Sequence, residues 1–457
     1  MSCLLTERAA TWLALILFVL VVVRALLVHR PLRRALAAAW VFGGAALRYL
    51  GRRLRGEGLA AGPREWRLAF ERLGPTYIKL GQIIASSTTL FPQRYVAEFR
   101  LCLDRVPPEP WHVVRDTICE ALGHPPEELF AQVCPTPLAS ASIAQVHAAR
   151  GQDDQGHERD LVIKVQRRGL PEQVDADIRI LGVGAALLQQ LPHLRNANPR
   201  GIVQAFDRSI HEELDFLAEA AHMDEFNRIL RQLGRDDVCA PQPVWRLCTR
   251  TVLTMERLHG ISVDDVEALR RRGYPQEWIE ERLIAGMHAW FQTLIRYGFF
   301  HGDVHAGNLL LLDDGRIGFL DFGIVGRFSP ERRRQIADYL VAFASQDFCA
   351  LARVMVRMGV VDPEVAERNL EAFAEDLRLA YGPLARLSLS EIDYGDILPQ
   401  IMQVSLRHGT RLPDDFVLVT RQLLYFDRYA RLLAPSLNVF GDPRLAVRIA
   451  GDLAALG

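Results

Sequence analysis

Residues 301–323, HGDVHAGNLLLLDDGRIGFLDFG, constrain this chain more than any other stretch. Two apolar runs, LLLL and IGFL, flank Asp313-Asp314-Gly315, a composition that predicts two short strands joined by a turn. Around that hairpin stand Asp303, Asn308 five residues after it, and Asp321 in an Asp-Phe-Gly triplet. Each fragment alone arises easily by chance. In this order, within about twenty residues and beside two strands, they form a specific arrangement. His301 and His305 lie in the same loop, and their type fits equally a chemical role or hydrogen bonds to nearby backbone.

An Asp five residues before an Asn, followed after a hairpin by Asp-Phe-Gly, is the spacing of the protein-kinase catalytic loop. Phosphoryl transfer rests on positioning and charge neutralisation. One carboxylate faces the incoming nucleophile, while an amide oxygen and a second carboxylate hold a divalent cation against the phosphates. Such a site also needs a lysine on an upstream strand. Leu161-Val162-Ile163-Lys164 supplies one, although an edge-strand lysine with its head in water has the same pattern. The segment 213–219, ELDFLAE, is expected on a helix, with Asp215 and Glu219 sharing a face at i, i+4, a pattern that an ordinary solvated acidic face would also give.

Where a glycine-rich loop belongs, the chain reads Leu138, Ala139, Ser140, Ala141, Ser142, Ile143, Ala144, Gln145 and Val146. Laid on G-x-G-x-x-G-x-V, the three glycine positions are alanine and the valine is kept. Alanine disfavours positive φ and adds a methyl group where backbone must approach phosphate, so this is not an ordinary kinase loop.

Taken together these residues resemble the UbiB/ADCK family of atypical protein-kinase-like proteins. The alanine-rich loop at residues 138–146 and Lys164 look like the family's nucleotide-binding elements, and Glu219 like its αC glutamate. Glu213 and Asp215 resemble the E-x-D motif. Lys79-Leu80-Gly81-Gln82, in TYIKLGQIIASS, resembles the K-x-G-Q motif, and LDRVPP at 103–108 the stretch that follows it. The resemblance covers roughly residues 71–431 and implies ATP with Mg2+ or Mn2+ as cofactors. It further implies Asp303 as the catalytic residue, Asn308 and Asp321 as metal ligands, Met255 beside the nucleotide, and Lys79 and Gln82 as regulatory, on a helix over the active site with Lys79 near Glu213 and Asp215. The implied role lies in ubiquinone or other prenyl-quinone biosynthesis, with membrane lipid, prenyl-quinone precursors or their biosynthetic enzymes as partners. His222, where the family often has Asn in E-A-x-N, departs from the pattern. So does the tail RLAVRIAGDLAALG, too short and charged to span a membrane where bacterial UbiB proteins carry apolar helices.

The expected fold is α+β, an atypical protein-kinase-like two-lobed fold with an N-terminal helical extension and a membrane helix. Its divisions fall at 1–60 (membrane anchor and basic segment), 61–125 (helical K-x-G-Q extension), 126–258 (N-lobe) and 259–457 (C-lobe with a helical extension). The anchor is residues 9–28, AATWLALILFVLVVVRALLV, long enough at about 1.5 Å per residue to cross a hydrocarbon layer of roughly 30 Å. A helix buried against the soluble part and a cleaved secretory signal are the other readings of that run. Seven arginines between residues 30 and 55 follow it, which predicts a cytosolic location for what comes after; in a prokaryote the membrane would be the inner one. A second apolar run, 35–47, is shorter and Gly/Ala-rich and reads as interfacial or packed on the first helix.

Composition limits the alternatives. A net charge of −1 and a pI near 6.9 offer no global reason for a nucleic-acid partner. The seven scattered cysteines contain no C-x-x-C pair and read as reduced, mostly buried thiols. A helical stretch is expected over 65–105, ended by Val106-Pro107-Pro108. Two functions remain: a membrane-anchored phosphotransferase or ATPase supporting prenyl-lipid biosynthesis, or a nucleotide-gated accessory protein that presents or extracts prenyl lipids. A conventional Ser/Thr kinase is disfavoured because GIVGRFSPERRRQ, after Asp321, has no Ala-Pro-Glu anchor.

Overall fold

The structure is a computed structural model, and it describes residues 30–55, 61–86, 92–102, 106–191, 198–361, 363–386, 404, 407–408, 414–434 and 443–454. The apolar segment 9–28 lies outside these residues, as do Leu103, Asp104 and Arg105. Among the described residues, no helix is long and apolar enough to cross a membrane. Two compact units are present: Met1–Phe216 with Leu247–Thr254, and Leu217–Arg246 with Met255–Gly457.

The first unit begins with helices α1 (Arg30–Leu54), α2 (Ala61–Leu73), α3 (Pro75–Ser86) and α4 (Gln93–Phe99). The apolar run 35–47 is the middle of α1 and carries no membrane span. Its inner face buries Ala38 against Leu73 and Tyr77, with Val41, Phe42 and Phe70 around them. Arg34 fixes α1 further by gripping the fully buried Asp177 through two hydrogen bonds of 2.6 and 2.8 Å. The single helical stretch expected over 65–105 is instead three helices. Gly74, at φ 90°, breaks α2 from α3, a backbone state that glycine adopts without a Cβ clash.

Helix α5 (Trp111–Leu122) ends at Gly123 in the left-handed conformation and leads into an antiparallel sheet. Strands β1 (Gln132–Ser140), β2 (Ala144–Gln152), β3 (Glu158–Gln166) and β4 (Val252–Glu256) lie side by side in that order. Both neighbours of β3 are strands, so it is a central strand, and its last six residues are all buried. Helices α6 (Leu170–Leu188) and α7 (Pro199–Glu213) enclose Leu170, Val174, Phe206, Ile210 and Leu214. Asn198 caps α7 by accepting the Gly201 N–H.

The second unit opens within α8 (Phe216–Gln232), at Leu217. Residues 213–219 therefore do not form the single helix expected. Glu213 ends α7, Asp215 lies in the break, and Glu219 sits in the first turn of α8. The break is set by a distant contact, the Phe216 N–H donating to the carbonyl of Arg250. Strands β5 (Gly260–Ser262), β6 (Phe299–His301), β7 (Leu309–Leu312), β8 (Ile317–Phe319) and β9 (Val325–Arg327) form two small sheets. In one, the two-residue strand Val238–Cys239 pairs with β8, then β7, then β5; in the other, β6 pairs with β9. The expected hairpin is present, with Leu309 opposite Phe319 and Gly315 turning at φ 86°.

Around these sheets pack α9 (Gln276–Gln292), α10 (Pro330–Ala344), α11 (Phe348–Arg357), α12 (Pro363–Arg386), α13 (Asp414–Leu433) and α14 (Pro443–Ala454). Phe226 joins α8 to the hairpin, its ring 5.3 Å from Phe319 and 5.1 Å from Phe322. Helix α14 is tied to α9 by polar contacts in the interior. His288 donates to Asp452 at 2.8 Å, and Gln292 donates to the other carboxylate oxygen at 3.0 Å. Among the described residues the cysteines are free; Cys102 and Cys239 are buried as expected, whereas Cys134 and Cys349 are exposed.

Candidate functional site

In the first unit, Lys164 stands on central strand β3 with only 8 % of its surface exposed, so the edge-strand reading does not hold. Its ammonium lies 5.1 Å from the centre of the Phe216 ring, a cation–π distance that moderates the cost of burying charge. Directly across the sheet is Val146, the valine retained from the loop pattern. Leu138, Ala139 and Ser140 belong to β1 and Ala144, Gln145 and Val146 to β2, leaving Ala141, Ser142 and Ile143 as the tip. None of these nine residues has positive φ, which is why alanine suffices where a glycine-rich loop would use left-handed backbone.

The tip is pinned. Ala141 donates its N–H to the Ala144 carbonyl, and Arg167 donates to the Ala141 carbonyl at 3.1 Å and to the Ser140 hydroxyl at 2.9 Å. Arg167 also reaches the carbonyls of Val106 and Pro107, so part of LDRVPP lies against the alanine-rich hairpin. Gln145 adds a bond from the Glu109 N–H to its side-chain oxygen, and its amide nitrogen donates to His147 Nε2. Because His147 Nδ1 faces the Cys134 carbonyl, that nitrogen carries the proton and the ring is neutral; burial lowers its pKa accordingly.

Lys79, on α3, forms an ion pair with Glu213, the last residue of α7. Glu213 is 9 % exposed and Lys79 22 %, so the pair is largely withdrawn from water. Asp215 pairs with Arg250 at 3.7 Å, at a much more exposed position. Gly81 has a packing reason: a Cβ there would come within 2.9 Å of the Phe99 ring and 3.1 Å of Cys102 Sγ. Gln82 is half-buried on the same helix.

In the second unit, the loop after β6 is held by hydrogen bonds to its backbone from several side chains. His301 is fully buried; its Nε2 faces the Leu320 carbonyl at 2.8 Å and its Nδ1 accepts the Asp303 N–H at 3.1 Å. A carbonyl only accepts and an amide only donates, so His301 is held as the neutral Nε2–H tautomer. Burial lowers its pKa in the same direction. Trp290 donates its indole N–H to the His301 carbonyl at 2.9 Å, and Asn308 Nδ2 donates to the Asp303 carbonyl at 2.9 Å. His305 stays 3.9 Å from the Asp303 carboxylate.

That bond uses an amide N–H of Asn308, so its side-chain oxygen, which only accepts, takes no part in it. The Leu320 N–H donates to the backbone carbonyl of Asn308, which brings Asn308 and Asp321 to the same end of the β7–β8 hairpin. Asp321 is exposed and held at φ 52°, one of three non-glycine residues with positive φ among those described. The Gly323 N–H bonds its Oδ1 at 3.2 Å and supports this uncommon backbone. A carboxylate and an amide oxygen at one hairpin end are the hard donors that Mg2+ prefers, so these residues fit the implied cation.

Helix α8, which carries the buried Glu219, is fastened to the same triplet. His222, the departure from E-A-x-N, donates from Nδ1 to the Phe322 carbonyl at 3.0 Å. Glu225 pairs with Arg327 at 2.6 Å, and that hydrogen bond holds its carboxyl below the usual range. Met255 is buried and bridges to Pro243. No motif in the sequence singled out Trp290, Gln422 or Tyr429; the latter two also contact the Asp303 loop and lie in a helix whose only sequence signal is its apolar periodicity.

Residues 101–355 match the ABC1 atypical kinase-like domain and residues 377–438 the UbiB helical domain. An aarF domain-containing protein kinase of Arabidopsis thaliana, named chloroplastic, is 38 % identical over 410 residues, spanning 84 % of this chain and 74 % of that protein. An uncharacterised protein of Mycobacterium tuberculosis is 38 % identical over 425 residues, 90 % of this chain and 83 % of its own. A Marinobacter nauticus protein named "probable protein kinase UbiB" is 33 % identical over 379 residues, 82 % and 67 % of the two chains. Among solved structures, Mycobacterium tuberculosis Rv3197 in complex with erythromycin has the same fold, with a TM-score of 0.54 and 24 % identity over 81 % of this chain and 94 % of that one. The chain belongs to the UbiB/aarF family of ABC1 atypical kinase-like proteins.

Proposed function

We propose that this protein is a membrane-associated, ATP-binding phosphotransferase or ATPase that supports ubiquinone or other prenyl-lipid biosynthesis. The observation that carries the reading is the Asp303–Asn308–Asp321 arrangement: a braced loop bearing one carboxylate, and two oxygen donors at one hairpin end. Mg2+ or Mn2+ held by Asn308 and Asp321 would supply charge neutralisation for ATP phosphates. Asp303 receives or orients the hydroxyl proton of the attacking group. In the first unit, Lys164 on central strand β3 supplies an ammonium of the kind that binds phosphate oxygens.

Membrane association is supported by the outer face of α1. Leu32, Leu36, Trp40, Leu47, Leu50 and Leu54 are all exposed, Trp40 by 84 %. At about 100° per residue these positions fall within roughly 80° of arc, a continuous apolar stripe. Arg33 and Arg53, both exposed, border it on either side. A basic amphipathic helix of this kind suits the surface of an anionic bilayer, and it follows in sequence the apolar segment 9–28.

The test is ATP turnover by the full chain and by Asp303→Asn, with and without anionic vesicles. Loss of a positioned acid–base group lowers turnover by about a hundred- to ten-thousandfold. Equal turnover in the two proteins contradicts the phosphotransferase reading and favours the nucleotide-gated accessory role. Cosedimentation with the vesicles falls in Trp40→Glu/Leu47→Glu if the stripe meets lipid, and persists unchanged if it does not.

A further inference from the structure

The residue after Asp303 is clamped by a single distant helix. Val304 is fully buried and lies in neither a strand nor a helix, so both its backbone polar groups require partners. Gln422 Oε1 accepts the Val304 N–H at 2.9 Å, and the Tyr429 hydroxyl donates to the Val304 carbonyl at 2.9 Å. Both residues are buried on α13, seven positions apart and hence on one face. The amide of Gln422 is oriented by its nitrogen, which donates to the Leu418 carbonyl at 3.0 Å and turns the oxygen toward Val304.

Phe426, on that same face, packs edge-on against Trp290 at 5.8 Å, and Trp290 is the residue that holds the His301 carbonyl. One helix face therefore holds the loop directly after Asp303 and, through Trp290, backs the residue before it. Buried polar side chains are costly unless paired, and apolar residues would fill these positions equally well as packing. Their polarity is spent on the loop.

We infer that Gln422 and Tyr429 are positioning residues: helix α13, in the UbiB helical domain, sets the direction of the Asp303 carboxylate by holding both backbone polar groups of Val304. The inference rests on the reading of Asp303 as the catalytic carboxylate. Burial, with the neighbouring Tyr425 adding to it, raises the pKa of Tyr429, so its hydroxyl keeps the proton it donates.

The experiment uses the full chain and the variants Gln422→Met, Tyr429→Phe and Asp303→Asn. Three quantities are read: amide hydrogen exchange in the peptide 301–308, kcat, and KM for Mg-ATP. Exchange in that peptide rises in Gln422→Met and Tyr429→Phe while strands β2 and β3 keep their protection. A carboxylate displaced by a fraction of an ångström lowers kcat by about tenfold or more, with KM within about twofold of the original. Should Gln422→Met fail to fold, Tyr429→Phe removes a single oxygen and carries the test alone. Unchanged kcat in a protein whose turnover depends on Asp303 overturns the positioning role, even if exchange rises. Turnover indifferent to Asp303→Asn defeats the catalytic reading instead; in that case unchanged exchange at 301–308 defeats the clamp by itself.

Discussion

Asn308 donates its side-chain amide to the backbone carbonyl of Asp303 at 2.9 Å, so the residue assigned to the metal also closes the loop that carries the assigned catalytic carboxylate. One amide would thus serve two ends: its nitrogen braces the loop, and its oxygen is the atom the proposed metal site would use. Asn308→Asp removes the only kind of atom that can donate to Asp303 and sets a carboxylate against a carbonyl. Thermal unfolding should show a loss of about 1 kcal/mol, the cost of losing a hydrogen bond to a partly buried acceptor. ATP turnover should fall with it, and a variant with wild-type stability would show that the bond does not brace the loop.

Gly81→Ala tests the reading of K-x-G-Q as a packing motif. In an open helix this change stabilises by about 1 kcal/mol. Here the added methyl meets the Phe99 ring at 2.9 Å, so overpacking reverses the sign to a loss of about 1–3 kcal/mol. Combining it with Phe99→Leu should recover part of the loss, and a more stable Gly81→Ala would refute the close approach.

Lys79→Ala deprives Glu213, 9 % exposed, of its ammonium. Because Lys79 is itself 22 % exposed, we expect about 1–3 kcal/mol and not the larger penalty of a fully buried pair. The variant should stay folded while its nucleotide handling changes, including phosphorylation in cis. Wild type should leave casein-like substrates unmodified, because the stretch after Asp321 lacks the Ala-Pro-Glu anchor of a conventional protein kinase. Robust casein phosphorylation by wild type would sink that idea, and a Lys79→Ala protein with unaltered ATP binding and turnover would return Lys79 to an ordinary helix lysine.

The sequence carried some of these relationships and was blind to others for identifiable reasons. The hairpin around Asp313-Asp314-Gly315 and the strand bearing Lys164 are local patterns, and both appear where the residues indicated. The buried state of Lys164 was not legible, because it depends on β4, which joins β3 from nearly ninety residues away. Residues 213–219 read as one helix because their periodicity is unbroken; the bond between Phe216 and Arg250 that interrupts them is long-range. Gln422 and Tyr429 had no signal at all, since a helix-facing glutamine and tyrosine are ordinary until the loop beneath them is known.

Stability should decline as the pH is lowered below neutral. His147, His288 and His301 each have a pKa lowered by burial from the ordinary value of 6.5. A lowered imidazole pKa means the unfolded chain binds the proton first, so the stabilisation is present above pH 6.5 and is lost as the pH falls toward the folded value. His211, raised by Asp207 and Asp175 against the effect of burial, works in the opposite sense from a half-exposed position. Three buried rings outweigh it. Melting temperatures recorded between about pH 8 and pH 5 should therefore drop on the acid side, in the range where imidazoles titrate. A flat or rising profile would mean that the histidines are not held neutral.

The most direct measurement of the central claim is the stabilisation of wild type and Asp321→Asn by Mg-ATP, each compared with ATP in chelator. Ligand at about 100 times Kd adds roughly 2.7 kcal/mol to the stability of the protein that binds it. Wild type should show this gain with Mg2+ present, and Asp321→Asn, equally stable without nucleotide, should show almost none. An undiminished Mg-ATP shift in Asp321→Asn would contradict the assignment of the metal to the Asp-Phe-Gly carboxylate.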